Sequence, residues 1–380
     1  MKKELMLYLH VPFCVRKCHY CDFLSAAHPM EKRSLYVKAL QREIRERGKE
    51  YSGRIVTSVF FGGGTPSLLS PAQLLELMTA IRETFELSET AEITMECNPG
   101  TAEEGKLRGW REAGVNRLSI GLQSMKDEEL KILGRIHDRE TFLRTYEQAR
   151  LAGFTNVNVD LMNALPGQTM QSWKETLEEV LALEPEHLSV YSLILEEGTE
   201  FFEWNGQGRF TGSLAIPSEE EDRAMYAYTG ERLARAGYAQ YEISNYAKAG
   251  RECQHNLGYW TRKDYLGLGL GAASLLGSVR ASNETDLDRY LADPLAGRRE
   301  EILSRKDQME EFAFLGLRTI RGISRREFYS LYDENVDALW GEVIRRNVAD
   351  GLLLDDGEFI RLTKRGLDLG NYVMAQFLLD

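Results

Sequence analysis

"LMLYLHVPFCVRKCHYC", residues 5–21, carries an apolar, β-favouring run directly into a loop with three cysteines in eight positions. Cys14, Cys18 and Cys21 have Arg16, Lys17 and His19 between them, which marks a loop and not a core. Three thiolates so close together make a metal site that lacks one ligand. An iron–sulfur cube normally takes four cysteines, and catalytic metal centres keep one coordination position open. Arg16 and Lys17 would offset the thiolate charge. The competing reading is a structural zinc site with His10 or His19 as fourth ligand. Such sites usually draw two ligand pairs from distant segments, and no second C-x-x-C pair occurs in the chain. Cys97 and Cys253 stand alone and read as small core residues.

The strand-then-loop pattern recurs. Strand candidates are residues 5–11, "IVTSVFFGG" (55–63), "EITMEC" (92–97), "NRLSIGLQ" (116–123), "NVNVDLMN" (156–163) and "HLSVYSLIL" (187–195). Most read as nearly continuously apolar, as parallel strands covered on both faces do. Helical patterns separate them. "SPAQLLELMTAIRETF" opens on Ser70 then Pro71, a capping residue before the Pro favoured at the first helical position. Gly114 and Gly153 follow two other helices as C-caps. Repeated right-handed βαβ crossovers imply a partial (β/α)6 barrel of the TIM type, with an open doubly wound sheet as the alternative. In a barrel, functional side chains gather at the C-terminal strand ends. There the loops read three cysteines, "GGGTPS" (62–67), "ECNPG" (96–100), "LQSM" (122–125) and "DLMNALPGQT" (160–169).

The 380-residue chain is 43% hydrophobic and 28% charged, enough for a large core and a smaller second domain. No apolar run reaches the roughly 18 residues of a membrane span. The start meets charge, Pro and Cys too early for a signal peptide, so a cytoplasmic protein is expected. A net charge of −12 argues against nucleic acid as a partner. Beyond residue 200, "FEWNGQGRFTGS" (202–213) reads as loop, residues 219–237 as a helix, and 238–277 as short strands and Gly-rich turns. From about 307, three helices, a hairpin with an Asp-Gly turn and a last helix make a winged-helix-like α+β domain. Its acidic balance suits packing or closure better than DNA binding. The expected division is 1–205, the partial barrel with its sites; 206–300, an extension; and 301–380, the winged-helix-like domain.

C-x3-C-x2-C after a first strand, followed by "GGGTPS", resembles the radical SAM enzymes. In that family three cysteines hold a [4Fe-4S] cluster, and S-adenosylmethionine completes the fourth iron through its amino and carboxylate groups. The resemblance implies electron transfer to the sulfonium and a 5′-deoxyadenosyl radical, chemistry that belongs to the cofactors. "YLHVPFC", "FFGGGTPS", "ECNPG", "RLSIGLQS", "GRIHD" and "DLMNALPGQT" are similar to the branch that contains oxygen-independent coproporphyrinogen III dehydrogenases and heme chaperones. Carried over by position, Cys14, Cys18 and Cys21 would bind the cluster, and Gly63, Gly64 and Thr65 would meet the methionyl end of the cofactor. Tyr8 would lie against cofactor and cluster, and Tyr20 near the adenine. Glu96 would contact the methionyl ammonium, Arg135 the carboxylate, and Gln123 and Asp160 the ribose.

Two features separate the branches. The dehydrogenase pattern has a fourth cysteine two positions after the third, where this chain has Phe23. "HNLGYW" (255–260) and the following "DYLGLGLGA" resemble the chaperone branch. His255 could then supply an imidazole to heme iron, with Tyr259 and Trp260 covering the macrocycle; read alone, a single His in such a segment is a satisfied structural residue. One departure is "GAAS" (271–274), where chaperone-like chains commonly read "GAH". The resemblance thus implies a chaperone that binds a [4Fe-4S] cluster, S-adenosylmethionine and heme and hands heme to an acceptor protein. The acceptor could be membrane-associated, although the chain shows no membrane segment of its own. The alternatives are oxidative decarboxylation of coproporphyrinogen III, and a zinc-stabilised interaction protein.

Overall fold

Each expected parallel strand forms within a few residues of its sequence bounds. The computed structural model describes residues 2–51 and 53–379. Strands β1 (Glu4–Val11), β2 (Ile55–Gly63), β3 (Glu86–Cys97), β4 (Arg117–Gln123), β5 (Val157–Asn163) and β6 (His187–Ser192) pair in parallel, in chain order. Short strands β7 (Ala239–Gln240) and β8 (Asn245–Ala247) extend the sheet beyond β6. At the other edge β9 (Tyr265–Leu268) lies parallel to β1, followed by antiparallel β10 (Ala273–Leu276), β11 (Val279–Ser282) and β12 (Arg299–Ile302). The sheet is open and twelve-stranded, not a closed barrel.

Crossover helices α1 (Met30–Gly48), α2 (Pro71–Thr84), α3 (Glu104–Ala113), α4 (Asp127–Ile132), α5 (Arg139–Leu151) and α6 (Met170–Leu181) separate the strands. Their ends follow local chemistry. Ser70 and Gln73 form a reciprocal capping box at α2, and Gly114 takes a left-handed conformation after α3. Two expectations change. Residues 200–206 form a helix, α7 (Glu200–Gly206), where loop was expected from 202: Thr199 caps it and Phe201 is fully buried. After α8 (Glu219–Arg235), the "HNLGYW" segment is also helical, as α9 (Gln254–Trp260). Its N-terminal cap comes from 162 and 163 positions away, where the Glu92 carboxylate accepts the Gln254 and His255 N–H groups at 3.1 Å each.

The strands are not apolar on both faces. Leu5, Leu7, Leu9, Val59, Phe61, Ile93, Met95, Leu118, Ile120, Val157, Val159 and Leu188 belong to the helix-covered core. Tyr8, His10, Phe60, Glu96, Arg117, Ser119, Asn158, Asp160, Ser189 and Tyr191 alternate with them and line a cavity instead. The crossover helices pack on the first face, and α9 meets the second through His255 on Ser58 and Phe60, where the cavity lets it carry polar groups.

After α10 (Leu287–Ala292), helices α11 (Arg305–Arg318), α12 (Arg325–Tyr332) and α13 (Val336–Ala349) precede the expected hairpin, β14 (Leu353–Asp355) and β15 (Phe359–Leu362). A short β13 (Ile323–Ser324) pairs with β15 to complete a three-stranded wing. The expected last helix is two, α14 (Lys364–Asp368) and α15 (Gly370–Ala375). Trp340, Phe328 and Ile360 centre a second core, separate from the first. Among the described residues no helix is long and apolar enough to cross a membrane.

Glu43 on α1 fastens the β9 edge. It is fully buried and accepts from Gly269 N–H (2.8 Å), Asn283 Nδ2 (2.8 Å), the Tyr290 hydroxyl (2.7 Å) and Arg47 Nε (3.2 Å). Truncating it strands four donors away from water. Glu43→Ala should therefore lower stability by about 3–5 kcal/mol, measured by urea unfolding with circular dichroism. A loss below about 1 kcal/mol would show that this cluster does not fasten the edge.

Candidate cofactor and ligand site

Backbone and side-chain bonds fold the cysteine loop. Cys14 N–H donates to the Ala26 carbonyl and Ala26 N–H to the Pro12 carbonyl, both at 3.0 Å, closing its stem. Lys17 Nζ reaches the Phe23 carbonyl at 2.9 Å, and Arg16 Nη2 reaches the carbonyls of Gly134 (2.7 Å) and Arg135 (3.0 Å). Arg16 and Lys17 thus bind backbone oxygens, and the Lys17 charge also acts on the Cys21 thiol. Arg135 is the cation that reaches a thiol: its Nη1 lies 3.6 Å from Cys18 Sγ, and the Thr65 hydroxyl lies 3.6 Å from Cys14 Sγ. Burial pushes the Cys21 thiol up to about 11, so a proton or a metal must cover that sulfur at neutral pH.

Of the two fourth ligands a zinc site could draw on, His10 has both ring nitrogens engaged. His10 spends Nε2 on the Leu24 carbonyl (2.8 Å) and Nδ1 on the Tyr8 hydroxyl (3.1 Å). His19 spends Nδ1 on the Ile132 carbonyl (3.0 Å), and its Nε2 faces Glu200 at 3.9 Å. Among the described residues no three or more His, Cys, Asp or Glu side chains converge on a single ion.

A cavity of about 130 Å³ brings together the three cysteines, Tyr20, Gly63, Gly64, Thr65, Glu96, Gln123, Arg135 and Asp160. These residues come from the loop after β1, from β2 to β5, and from the turns after β2 and α4. Gly63 has φ +112°, and an added Cβ would fall 2.5 Å from His10, so only glycine lets this turn pass beneath the cysteine loop. Its N–H donates to Glu96 Oε2 at 3.1 Å. Asp160 accepts from Asn158 Nδ2 (2.7 Å) and the Ser119 hydroxyl (3.2 Å). Both carboxyls therefore bond neutral groups. Burial, with the Asp160 charge second, pushes Glu96 up to about 8, and burial also raises Asp160. Arg135 is anchored by Asn98 Oδ1 (2.8 Å) and the Gly121 carbonyl (2.6 Å), leaving its buried Nε without a partner among the described residues. Gln123 sits at a register shift between β4 and β5 with φ +74°, a left-handed conformation uncommon for a residue with a Cβ. Tyr20 packs on a small apolar cluster with Leu133, Met162, Leu165 and Phe201.

A larger cavity, about 290 Å³, adjoins the first and shares Glu96 and Asp160 with it. Tyr8, Phe60, Tyr191 and Tyr259 supply aromatic walls, Arg117 and Asn158 polar ones, and Phe23 and Leu24 the rim. Tyr8 and His255 therefore stand here and not among the thiols. His255 is fully buried with both ring nitrogens engaged, Nδ1 to the Ser58 hydroxyl (2.8 Å) and Nε2 to the Tyr259 hydroxyl (2.9 Å), while its ring stacks on Phe60 at 5.1 Å. Burial, then the Arg117 charge, pushes it down to about 3. An imidazole so held would have to leave one of these partners to bind iron. Cys97 and Cys253 are buried core thiols as read. The sequence reading missed Asn98, Arg117, Asn158 and Tyr191. Arg117, Ser119, Gly121 and Gln123 fall at alternate positions of one strand, and that spacing was the available signal.

A family model described as the radical SAM superfamily matches residues 8–180, and one described as the HemN C-terminal domain matches residues 303–369. The chain is 38% identical to a Lactococcus lactis protein named heme chaperone HemW, over 100% of this chain and 99% of that one. It is 37% identical to a Bacillus subtilis protein of the same name, over 98% of each. The solved structure of Escherichia coli coproporphyrinogen III oxidase, HemN, a radical SAM enzyme, superposes with a TM-score of 0.85 at 27% identity, over 99% of this chain and 90% of that one. With its fold and full-length relatives together, the chain belongs to the radical SAM superfamily, in the family of HemW-like and oxygen-independent coproporphyrinogen III oxidase-like proteins.

Proposed function

We propose that this protein is a cytoplasmic heme chaperone on a radical SAM scaffold. It holds a [4Fe-4S] cluster on Cys14, Cys18 and Cys21, S-adenosylmethionine in the cavity those thiols line, and heme, which it passes to an acceptor protein. The observation that carries this reading is the convergence of three thiols, two buried carboxyls and Arg135 on one cavity. The residues fit the groups they would hold. Glu96 and Asp160 lack a cationic bond partner and suit an ammonium and ribose hydroxyls. The planar fork of Arg135, with its unpartnered Nε, suits a carboxylate. When bound, cluster and nucleotide supply one-electron reductive chemistry at the sulfonium. The chain's own part is to bind and orient: the loop bonds of Arg16 and Lys17 fix the cysteines, and the Gly63 turn brings Glu96 beneath them.

Phe23 in place of a fourth cysteine, and the names of the full-length relatives, favour the chaperone. The likeness to coproporphyrinogen III oxidase supports a second reading, oxidative decarboxylation of coproporphyrinogen III. One paired measurement separates them. Cluster-loaded protein titrated with heme should develop a Soret band, and an anaerobic assay with reductant, S-adenosylmethionine and coproporphyrinogen III should form no protoporphyrinogen. Product formation without heme binding would replace the first reading by the second.

Cys18→Ala should abolish the cluster, because two thiolates from one loop cannot anchor it; iron content after anaerobic reconstitution checks this, and full retention would contradict it. Glu96 gives a pH test. A carboxyl raised to about 8 is protonated below that value, and binding an ammonium favours its ionised form. S-adenosylmethionine affinity should therefore fall by up to about tenfold per pH unit as pH drops below about 8. Glu96→Gln should bind more weakly with a flat profile over that range. An equally steep profile in Glu96→Gln would assign the proton to another group.

A further inference from the structure

We infer that Arg117 is the anchor for a ligand carboxylate in the larger cavity, receiving a propionate arm of the tetrapyrrole that the proposed function assigns to this protein. Arg117 opens β4 and is only 2% exposed, yet it lines that cavity. Its Nε has no hydrogen-bond partner among the described residues, and the nearby acids Glu92 and Asp160 act on it through charge at a distance, without an ion pair at contact. A guanidinium stays charged at any physiological pH, so leaving its N–H groups dry and without acceptors is costly.

Its polar neighbours are already committed. Asn158 donates to Asp160 and to the Ser119 hydroxyl, and its Oδ1 takes bonds from His187 (2.6 Å) and Ser189 (3.2 Å). His187 spends its other nitrogen on the Tyr241 hydroxyl at 2.8 Å. Glu92, the nearby acid, caps α9 with both oxygens and takes the Cys253 thiol. This network turns its acceptors on one another and leaves the cation for something that enters.

The rest of the cavity describes that ligand. Tyr8, Phe60 and Tyr259 are flat walls, and Phe23, Leu24 and Tyr191 at the mouth are 56%, 39% and 41% exposed. At about 290 Å³ the cavity sits at the bottom of the roughly 300–1,000 Å³ range of small-molecule pockets. It would take a carboxylate-bearing arm and the ring edge beside it, while the body of a macrocycle lies on the apolar mouth. A carboxylate could also come from the methionyl end of S-adenosylmethionine, and the test separates the two sources.

Cluster-loaded protein is titrated with iron protoporphyrin IX and with its dimethyl ester, following the Soret band, and separately with S-adenosylmethionine by calorimetry. The wild type should prefer the free acid by roughly tenfold or more, as expected for a charged hydrogen bond. Arg117→Gln should lose that preference by weakening the acid alone, and Arg117→Lys should recover part of it. Equal wild-type affinity for acid and ester overturns the inference without any variant, and so does a preference that survives in Arg117→Gln. Loss of S-adenosylmethionine affinity with the acid preference intact reassigns Arg117 to the nucleotide and also overturns it. A wild type that binds neither porphyrin removes the heme reading itself, a result distinct from all of these.

Discussion

Period-two alternation along the parallel strands is the constraint on which this molecule rests. Residues such as Leu118, Ile120, Val157 and Val159 press one face of the sheet against the crossover helices and form the main core. The same geometry sends Arg117, Ser119, Asn158 and Asp160 to the opposite face, which lines the larger cavity. A one-residue slip in any strand would exchange the two sets, burying charge against helices and exposing the core to the cavity. Core packing and site composition are therefore enforced together. The pairing register with β5 shifts at Gln123, which keeps the alternation of β4 and lines the cysteine-side cavity with Ser119 and Gly121.

That cavity-lining face explains the electrostatics. Carboxyls grouped in a partly dry cavity resist ionisation, which is why Glu96 rises toward neutrality beside Asp160. Such an arrangement is unfavourable in isolation and becomes favourable once a cationic ligand joins it. The cysteine loop closes the cavity by borrowing from the turn after α4. His19 N–H to the Leu133 carbonyl at 3.1 Å, together with Arg16, makes residues 132–135 a seat for the loop. Arg135 then extends from this seat to Cys18, so one turn both positions the thiols and supplies their neighbouring cation.

The strand order, the crossovers and the residues of the smaller cavity were legible because each has a local signature: apolar runs, caps, glycine turns, and cysteines in one loop. The polar face was not. Tyr8, Phe60, Gly121 and Tyr191 count as apolar or neutral in a hydrophobicity pattern, so the alternation was masked and the strands read as doubly covered. Helix α9 was hidden for a different reason. Its sequence holds Gly258 and two large aromatics, weak helix formers, and its decisive cap, Glu92, lies on a distant strand. The role of His255 shows the limit of a single motif. The segment resembled a heme-binding one, yet what holds the imidazole, Ser58 and Tyr259, depends on where α9 docks.

Helix α9 also connects the cavity to the C-terminal domain. Its inner side presents His255 and Tyr259 to the larger cavity. Its far end places Trp260 under the Arg318 guanidinium of α11, 4.4 Å from the ring centre. Just beyond, Arg262 pairs with Glu311 of α11 at 2.9 Å, both nearly buried, and Arg280 of β11 joins the same carboxylate. A buried acid between two guanidinium groups fixes orientation more than it adds stability. The C-terminal domain is thereby registered against the helix that forms a cavity wall, and Ile243 N–H to the Arg318 carbonyl at 3.2 Å adds a backbone seam beside it. A domain held at the back of that wall sets the wall's position without occupying the cavity.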